Sequence, residues 1–473
     1  MTEDRRRVPC PLRYWALESP DAGAVVGAGW SIPYGRLDAR VSAVAEHLAR
    51  VGVAAGDRVA LYLPKSVDYV VLLLALVRMG AVACPVSTRV PAGGVGPLLR
   101  EAGCSALISA QEKLLSGVEG VEALDPEAIL TDGADDRKAP GSAEIPLDRP
   151  ATVVFTSGST GTPKAGLHTF GNHHFNALGS NANIALAPGD RWLHSLPLYH
   201  VGGLSVIFRC LLAGATVALP EPDAPLGRSI PDLGATHVSL VSTQLRRLLD
   251  GDADLTGLRA VLMGGGPIPP SLVDEALARG VPVHTSYGLT EMASQVTTTP
   301  PGASREELRT AGRALPHREV RISGEGEIQV RGETLFAGYV RDGVPDLPLD
   351  DEGWFDTGDL GALDADGYLS VVGRRDNLFV SGGENVQPEE IEAALGRIEG
   401  VQEAVVVPVP DAEYGARPVA FVRKSGGTGD LARELERSLP RFKVPVAFLD
   451  WEGSRGMKPD RAALGRRARG GGA

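Results

Sequence analysis

Thr156-Ser157-Gly158-Ser159-Thr160-Gly161-Thr162-Pro163-Lys164 follows directly on the apolar run Val153-Val154-Phe155. That run reads as a buried strand, so the loop leaves a strand end. Its hydroxyls can donate hydrogen bonds, Gly158 and Gly161 let backbone N–H groups come close, and Lys164 brings a positive charge. The combination suits the β- and γ-phosphates of a nucleotide. It is not the usual P-loop, GxxxxGKS or GxxxxGKT, because Pro163 stands where glycine must precede the lysine. A flexible Gly/Ser turn is the plainer alternative for any such stretch taken alone.

The chain around this loop has 473 residues, too many for one ordinary core and enough for two or three lobes. Apolar residues at 43% and charged residues at 22% fit a soluble globular protein. A net charge of −12 weighs against nucleic acid or an anionic membrane as the main partner. A polyanionic substrate would then need individually placed cations, which draws attention to Lys164 and Lys458 among only seven lysines. Cys10, Cys84, Cys104 and Cys210 are scattered, without CxxC or His-rich spacing, and indicate neither a disulfide framework nor zinc. Arg5-Arg6-Arg7 is not followed by an apolar h-region, and the longest apolar run, Tyr69 to Val77, is too short to span a bilayer. A cytoplasmic location is expected.

Arg58 to Leu63, Ser66 to Arg78 and Ala81 to Val86 read as strand, buried helix and strand, a βαβ unit. The rhythm returns in the strands Thr236 to Val241, Arg259 to Met263 and Val281 to Ser286, with a helix starting at Pro270. Between them, Asp132 to Pro150 reads as a surface connection. After about residue 312, Arg318 to Ile322 and Glu327 to Arg331 flank Gly324-Glu325-Gly326 as a hairpin in a small β-rich lobe. A separate α+β unit is predicted from Gly373, with a helix from Pro388 and strands at Ala404 to Val407 and Pro418 to Val422.

Four further strings carry chemistry. In Tyr287-Gly288-Leu289-Thr290-Glu291, the tyrosine can stack on a base, Thr290 can bond a phosphate oxygen and Glu291 can hold Mg²⁺. An ordinary strand-to-loop exit is the bland alternative. In Trp354-Phe355-Asp356-Thr357-Gly358-Asp359, the last carboxylate can accept from both hydroxyls of a ribose, although a β-turn would also explain it. Ser381-Gly382-Gly383-Glu384-Asn385 permits close approach of a ligand or sharp backbone angles. The last string, Gly456-Met457-Lys458, reads either as a functional cation or as a solvated lysine.

In this order, the five strings resemble those of the adenylate-forming enzymes, which include acyl-CoA synthetases, peptide-synthetase adenylation domains and luciferases. The resemblance runs from Pro11 to Leu464. It implies an α/β fold, with βαβ-type lobes and a small β-rich lobe in a large domain over 1–373. A small mobile α+β domain over 374–473 would turn about a hinge at Asp376. The implied cofactors and co-substrates are ATP, Mg²⁺ and CoA. Thr156, Ser157, Gly158, Ser159, Thr160, Gly161 and Lys164 would cradle the phosphates, with Gly265, Tyr287 and Gly288 at the nucleotide and Glu291 on the metal. Asp359 and Arg374 would hold the ribose, and Gly382 and Gly383 would line the pantetheine channel. Thr290 and Lys458 would act in catalysis, the lysine against charge developing as a carboxylate attacks the α-phosphate. Pro459-Asp460-Arg461 departs from the commoner residues after that lysine.

Longer stretches, at 196–203, 236–245, 287–294 and 376–390, resemble the o-succinylbenzoate–CoA ligases of menaquinone synthesis, as does the short length. That acid has one carboxylate to activate and a second to hold, and a second buried anion demands a cation or several donors. Arg209, in the apolar run Leu204 to Leu212, is either that cation or a surface arginine on an amphipathic helix. His200 would contact the acyl group in catalysis, gate the thiol channel, or be structural. Ser239 and Thr243 are further substrate candidates. Two other ligases stay open, a generic aryl- or medium-chain acyl-CoA ligase and a carrier-protein-loading module. No aspartate near Leu198-Tyr199-His200 is placed to bind an α-amine. A non-catalytic nucleotide-binding relative is disfavoured by Lys164, Glu291, Asp359 and Lys458 occurring together. The resemblance admits a homodimer.

Overall fold

The computed structural model describes residues 6–111, 114, 120–130, 144–156, 163–251, 253–341, 343–424, 430–453 and 459–470. Arg58–Leu61 and Val82–Pro85 pair in parallel and are joined by helix Val67–Met79, the expected βαβ unit. The helix begins because the Ser66 hydroxyl accepts from the Tyr69 N–H at 3.1 Å, and it ends at Gly80 with φ 88°. Nine consecutive residues, Tyr69 to Val77, are buried, so this helix has no wet face.

Two large sheets enclose such helices. The first has eight strands in the order Val344–Asp346, Gly338–Arg341, Lys164–Thr169, Pro150–Thr156, Val82–Pro85, Arg58–Leu61, Ala106–Ile108, Glu122–Leu124. The second has nine: Arg313–Ala314, Ser294–Thr298, Val283–Leu289, Ala260–Met263, His237–Leu240, Arg191–Leu193, Thr216–Ala218, Gly23–Gly27, Trp30–Pro33. Helices Tyr34–Arg50 and Val67–Met79 pack together between them, as do Phe170–Asn183 and Val201–Ala213. One apolar cluster joins residues of all four helices to both sheets.

Arg318–Ile322 and Glu327–Gly332 form the expected hairpin within a four-stranded sheet completed by Phe355–Leu363 and Leu369–Arg374. The next unit has its own apolar clusters around helix Pro388–Leu395 and a sheet of Val401–Asp411, Gly415–Lys424 and Ala447–Asp450. These strands run longer than their apolar centres predicted, because their ends alternate and are half exposed. The α/β class is borne out.

Three local expectations need correcting. Glu144–Pro146 is a strand paired with Arg7–Pro9 rather than part of a surface connection. Val283–Leu289 carries Tyr287 and Gly288 within the strand, not after it, because Ser294–Thr298 folds back antiparallel along them. Gly338–Arg341 and Val344–Asp346 leave the β-rich lobe and extend the eight-stranded sheet beside Lys164–Thr169.

The helices near the N-terminus share one buried charge. Asp38, 3% exposed, accepts from Arg13 Nη1 at 2.6 Å and from Arg78 Nη2 at 2.5 Å. Removing one partner of a buried pair strands the others, at about 3–5 kcal/mol. Asp38→Leu should therefore lower the free energy of unfolding by that amount in urea titration. A loss under about 1 kcal/mol would mean that water reaches the arginines.

Candidate active site

The nucleotide end is assembled from three separate pieces of chain. Thr156 and Lys164 face each other across the antiparallel pair of their two strands. Lys164 Nζ sits 4.9 Å from the centre of the Tyr339 ring. The Tyr339 hydroxyl donates to Glu291 Oε1 at 2.6 Å, and burial, then the Glu291 charge, pushes that phenol above its usual value. Tyr339 thus meets the cation on its ring face and the carboxylate at its hydroxyl. Ser157, Gly158, Ser159, Thr160 and Gly161 lie outside the described residues, as does Lys458.

Glu291 belongs to the tight turn Thr290–Met292. His168 Nε2 donates to the Thr290 carbonyl at 2.7 Å, and the Phe336 N–H donates to the Glu291 carbonyl at 2.8 Å. The turn is therefore held from the eight-stranded sheet, although the strand entering it belongs to the nine-stranded one. Gly288 is needed there, since a Cβ would stand 2.2 Å from the Ser294 carbonyl across the bulged pair. Gly265, at φ 80°, turns the loop after Ala260–Met263.

Asp359 and Arg374 are cross-strand partners, joined by Arg374 Nη1 donating to Asp359 Oδ1 at 3.0 Å. Tyr287 donates to Asp359 Oδ2 at 2.6 Å, and burial, then the Asp359 charge, raises its phenol. Each carboxylate oxygen retains a lone pair for another donor. Arg374 Nη2 also reaches Asp376 Oδ2 at 3.6 Å, so one guanidinium spans the two aspartates. Gly382 and Gly383, at φ 60° and 88°, make the two-residue turn between Phe379–Ser381 and Glu384–Val386.

Arg209 is not on the surface. It is 1% exposed on helix Val201–Ala213, which is otherwise apolar but for Ser205 and is buried along most of its length. Its guanidinium lies 5.1 Å from the Trp192 ring, and Nη2 donates to Ser294 Oγ at 3.3 Å. Nε is buried without a partner, and among the described residues no carboxylate pairs with it. Burial pushes its pKa down to about 9. Ser239 Oγ accepts from Trp192 Nε1 at 3.1 Å, which places that candidate at the edge of the indole rather than on the cation. His200 caps the helix start with its ring 4.7 Å from Tyr199. Thr243 lies on helix Ser242–Asp250, away from the helix that carries Arg209.

The geometry brings Thr156, Lys164, Tyr287, Thr290, Glu291, Asp359 and Arg374 to one region. Three contributors were missed. Tyr339 arrives by a strand whose pairing has no local signal, Trp192 stands in the mixed run Asp190-Arg191-Trp192-Leu193-His194 with nothing to mark it, and no local pattern announces the bond of Ser294 to Arg209.

The fold and this constellation define a nucleotide-dependent ligase. Residues 12–340 match the AMP-binding enzyme family and residues 390–450 match the AMP-binding enzyme C-terminal domain. The chain belongs to the AMP-binding enzymes. The 2-succinylbenzoate–CoA ligase of Bacillus mycoides (strain KBAB4) is 33% identical over 467 residues, covering 94% of this chain and 95% of that one. That of Oceanobacillus iheyensis is 33% identical over 442 residues, covering 90% and 92%. The solved o-succinylbenzoate CoA synthetase of Bacillus subtilis, in complex with the acyl-adenylate OSB-AMP, superposes with a TM-score of 0.87. It shares 31% identity, covering 97% of this chain and 98% of that one. The same enzyme with ATP and a magnesium ion gives 0.86 at 32% identity, covering 97% and 100%.

Two buried histidines give this region a pH signature. His168 holds Thr290, and His194 Nε2 lies 3.1 Å from the Gly203 carbonyl at the start of the Arg209 helix. Burial lowers them to about 4 and about 3. Each stays neutral when folded while its unfolded form takes a proton below about 6.5, so stability full above that pH is lost as pH falls toward the folded values. At pH 5 the loss is about 2 kcal/mol per histidine. Urea titrations at pH 7 and 5 should show a smaller drop in His168→Gln than in the wild type. Equal drops would mean His168 is not neutral in the fold.

Proposed function

We propose that this chain is an ATP-dependent, AMP-forming o-succinylbenzoate–CoA ligase of menaquinone biosynthesis. The observation that carries the choice of acid is Arg209, a buried guanidinium without an anion whose hydroxyl partner, Ser294, lies three residues beyond Glu291. A buried cation is costly unless something pairs with it, and a second carboxylate on the substrate would do so. A mono-acid would leave it unpaired.

In the first half-reaction, the aliphatic carboxylate attacks the α-phosphate of ATP, forming the acyl-adenylate and releasing pyrophosphate. The loop from Thr156 to Lys164 holds the departing phosphates, Asp359 with Arg374 holds the ribose, and Tyr287 fixes that aspartate. Glu291 fits Mg²⁺, since its Oε1 is oriented by Tyr339 and its other oxygen faces no protein donor among the described residues. The metal, when bound, neutralises phosphate charge. Lys458 stabilises the charge at the α-phosphate. In the second half-reaction the CoA thiol attacks the acyl carbonyl, the C–S bond forms, and AMP leaves. Between the two, the unit over 374–473 turns about Asp376 against the unit over 1–373. Arg374, bridging Asp359 and Asp376, sits where that turn begins. Gly382 and Gly383 then face the pantetheine arm, with His200 beside the acyl group.

No described helix is long and apolar enough to cross a membrane, and all three substrates are water-borne, which favours the cytoplasm.

Thioester formation with ATP, Mg²⁺ and CoA should strongly prefer o-succinylbenzoate over benzoate, 4-phenylbutyrate and octanoate. Preference for the mono-acids would make the protein a generic acyl- or aryl-CoA ligase. Arg209→Leu should raise KM for o-succinylbenzoate about a hundredfold or more, as expected for a stranded buried carboxylate, and leave KM for ATP unchanged. An unaltered KM would remove Arg209 from the acid site. Lys458→Ala should abolish adenylation and largely spare thioester formation from preformed adenylate. Equal loss in both halves would refute the rotating unit.

A further inference from the structure

Ala293 and Ser294, at the foot of the acid site, have φ of 56° and 141°. Two consecutive non-glycine residues at positive φ are strained and persist only where the surroundings over-determine them. Asn176, 1% exposed, donates through Nδ2 to the carbonyls of Met292 at 3.0 Å and Gln295 at 3.1 Å, one on each side of the strained pair. Arg318, 5% exposed, donates through Nη1 to the same Gln295 carbonyl. Its Nη2 reaches the Phe175 carbonyl at 3.1 Å and its Nε the Pro316 carbonyl at 3.0 Å.

Arg318 is therefore a second buried cation with no carboxylate partner among the described residues, its donors spent on three backbone carbonyls. The helix beside it makes room: a Cβ on Gly179 would stand 2.2 Å from Arg318 Nη2. Burial and the like charge of Arg209 both press on it, lowering it to about 9. A buried arginine is an expensive way to tie down a loop, and an apolar residue would pack at less cost.

We propose that Arg318 is a positioning residue for recognition of the diacid, holding the Ala293–Ser294 turn so that the Ser294 hydroxyl and the Arg209 guanidinium face the substrate's second carboxylate together. The fork of the guanidinium matters, because a lysine ammonium cannot span carbonyls from three segments. Arg318 touches no substrate and acts through Gln295 and Ser294. The inference rests on the diacid reading above.

The test compares Arg318→Lys, Gly179→Ala and wild type in KM and kcat for o-succinylbenzoate, 4-phenylbutyrate and ATP, alongside thermal melting. Both variants should raise KM for the diacid about tenfold, while KM for the mono-acid and for ATP stays within about twofold. In an Arg209→Leu background, Arg318→Lys should add little, since the cation it orients is gone. A lower melting temperature with unchanged discrimination, an equal rise for both acids, or full additivity would each overturn the positioning role. If Arg318→Lys does not fold, Gly179→Ala decides alone, because its methyl group would meet the same guanidinium at 2.2 Å and, at 2.8 Å, the Pro316 carbonyl that guanidinium holds. A wild type that prefers mono-acids would defeat the diacid reading itself, and this inference with it. A wild type that prefers the diacid, with indifferent variants, would defeat only the role of Arg318.

Discussion

The reversal of the chain between Val283–Leu289 and Ser294–Thr298 is the constraint on which the site depends. Gly288 lets the returning strand come close enough to collide with any side chain there. Left-handed backbone at Ala293 completes the turn. One face of it presents Thr290 and Glu291 to the nucleotide region, and the other presents Ser294 to Arg209. His168 holds the Thr290 carbonyl from a strand, Asn176 those of Met292 and Gln295 from a helix, and Arg318 that of Gln295 again from the β-rich lobe. A turn strained by itself is thus fixed by three distant elements, His168 at its nucleotide side and Arg318 at its Ser294 side.

Charge is distributed to the same end. The chain carries −12 overall, yet Lys164, Arg209, Arg318 and Arg374 converge on or behind the site. Arg374 is paired and partly solvated, so its charge costs little where it stands. Arg209 and Arg318 are buried without carboxylates among the described residues, and the charge of Arg209 adds to the burial that lowers Arg318. That arrangement stores electrostatic free energy which an incoming carboxylate can release.

Much of this was legible in the sequence, for physical reasons that differ from residue to residue. Asp359 and Arg374 were named together through the resemblance of Thr357-Gly358-Asp359 and Gly373-Arg374 to the strings of the adenylate-forming enzymes. Their direct cross-strand register emerged only from the fold. Arg209 was open between core and surface, although its helix, Val201–Ala213, carries no other charge and so offers no polar face to turn outward. Tyr339 had no such signal. Its strand follows the β-rich hairpin in sequence but pairs with Lys164–Thr169, and pairing at that separation is set by tertiary packing, not by local pattern. Arg318 read as the first residue of a hairpin, where arginine is ordinary. Only its burial against Gly179 distinguishes it.

The choice of arginine at both buried positions follows from geometry more than from charge. A lysine at 209 could offer its ammonium to Ser294 or to a substrate oxygen, but its compact, strongly hydrated charge makes a poorer flat partner for the Trp192 ring. Guanidinium stacks on the indole and keeps Nε and the terminal nitrogens in one plane, so its orientation is set before any ligand arrives. At 318 the same fork reaches three carbonyls belonging to Phe175, Gln295 and Pro316, which no single donor axis could join. Preorganisation of this kind lowers the entropy lost when an anion binds, because the cation and the turn beside it already hold their orientation.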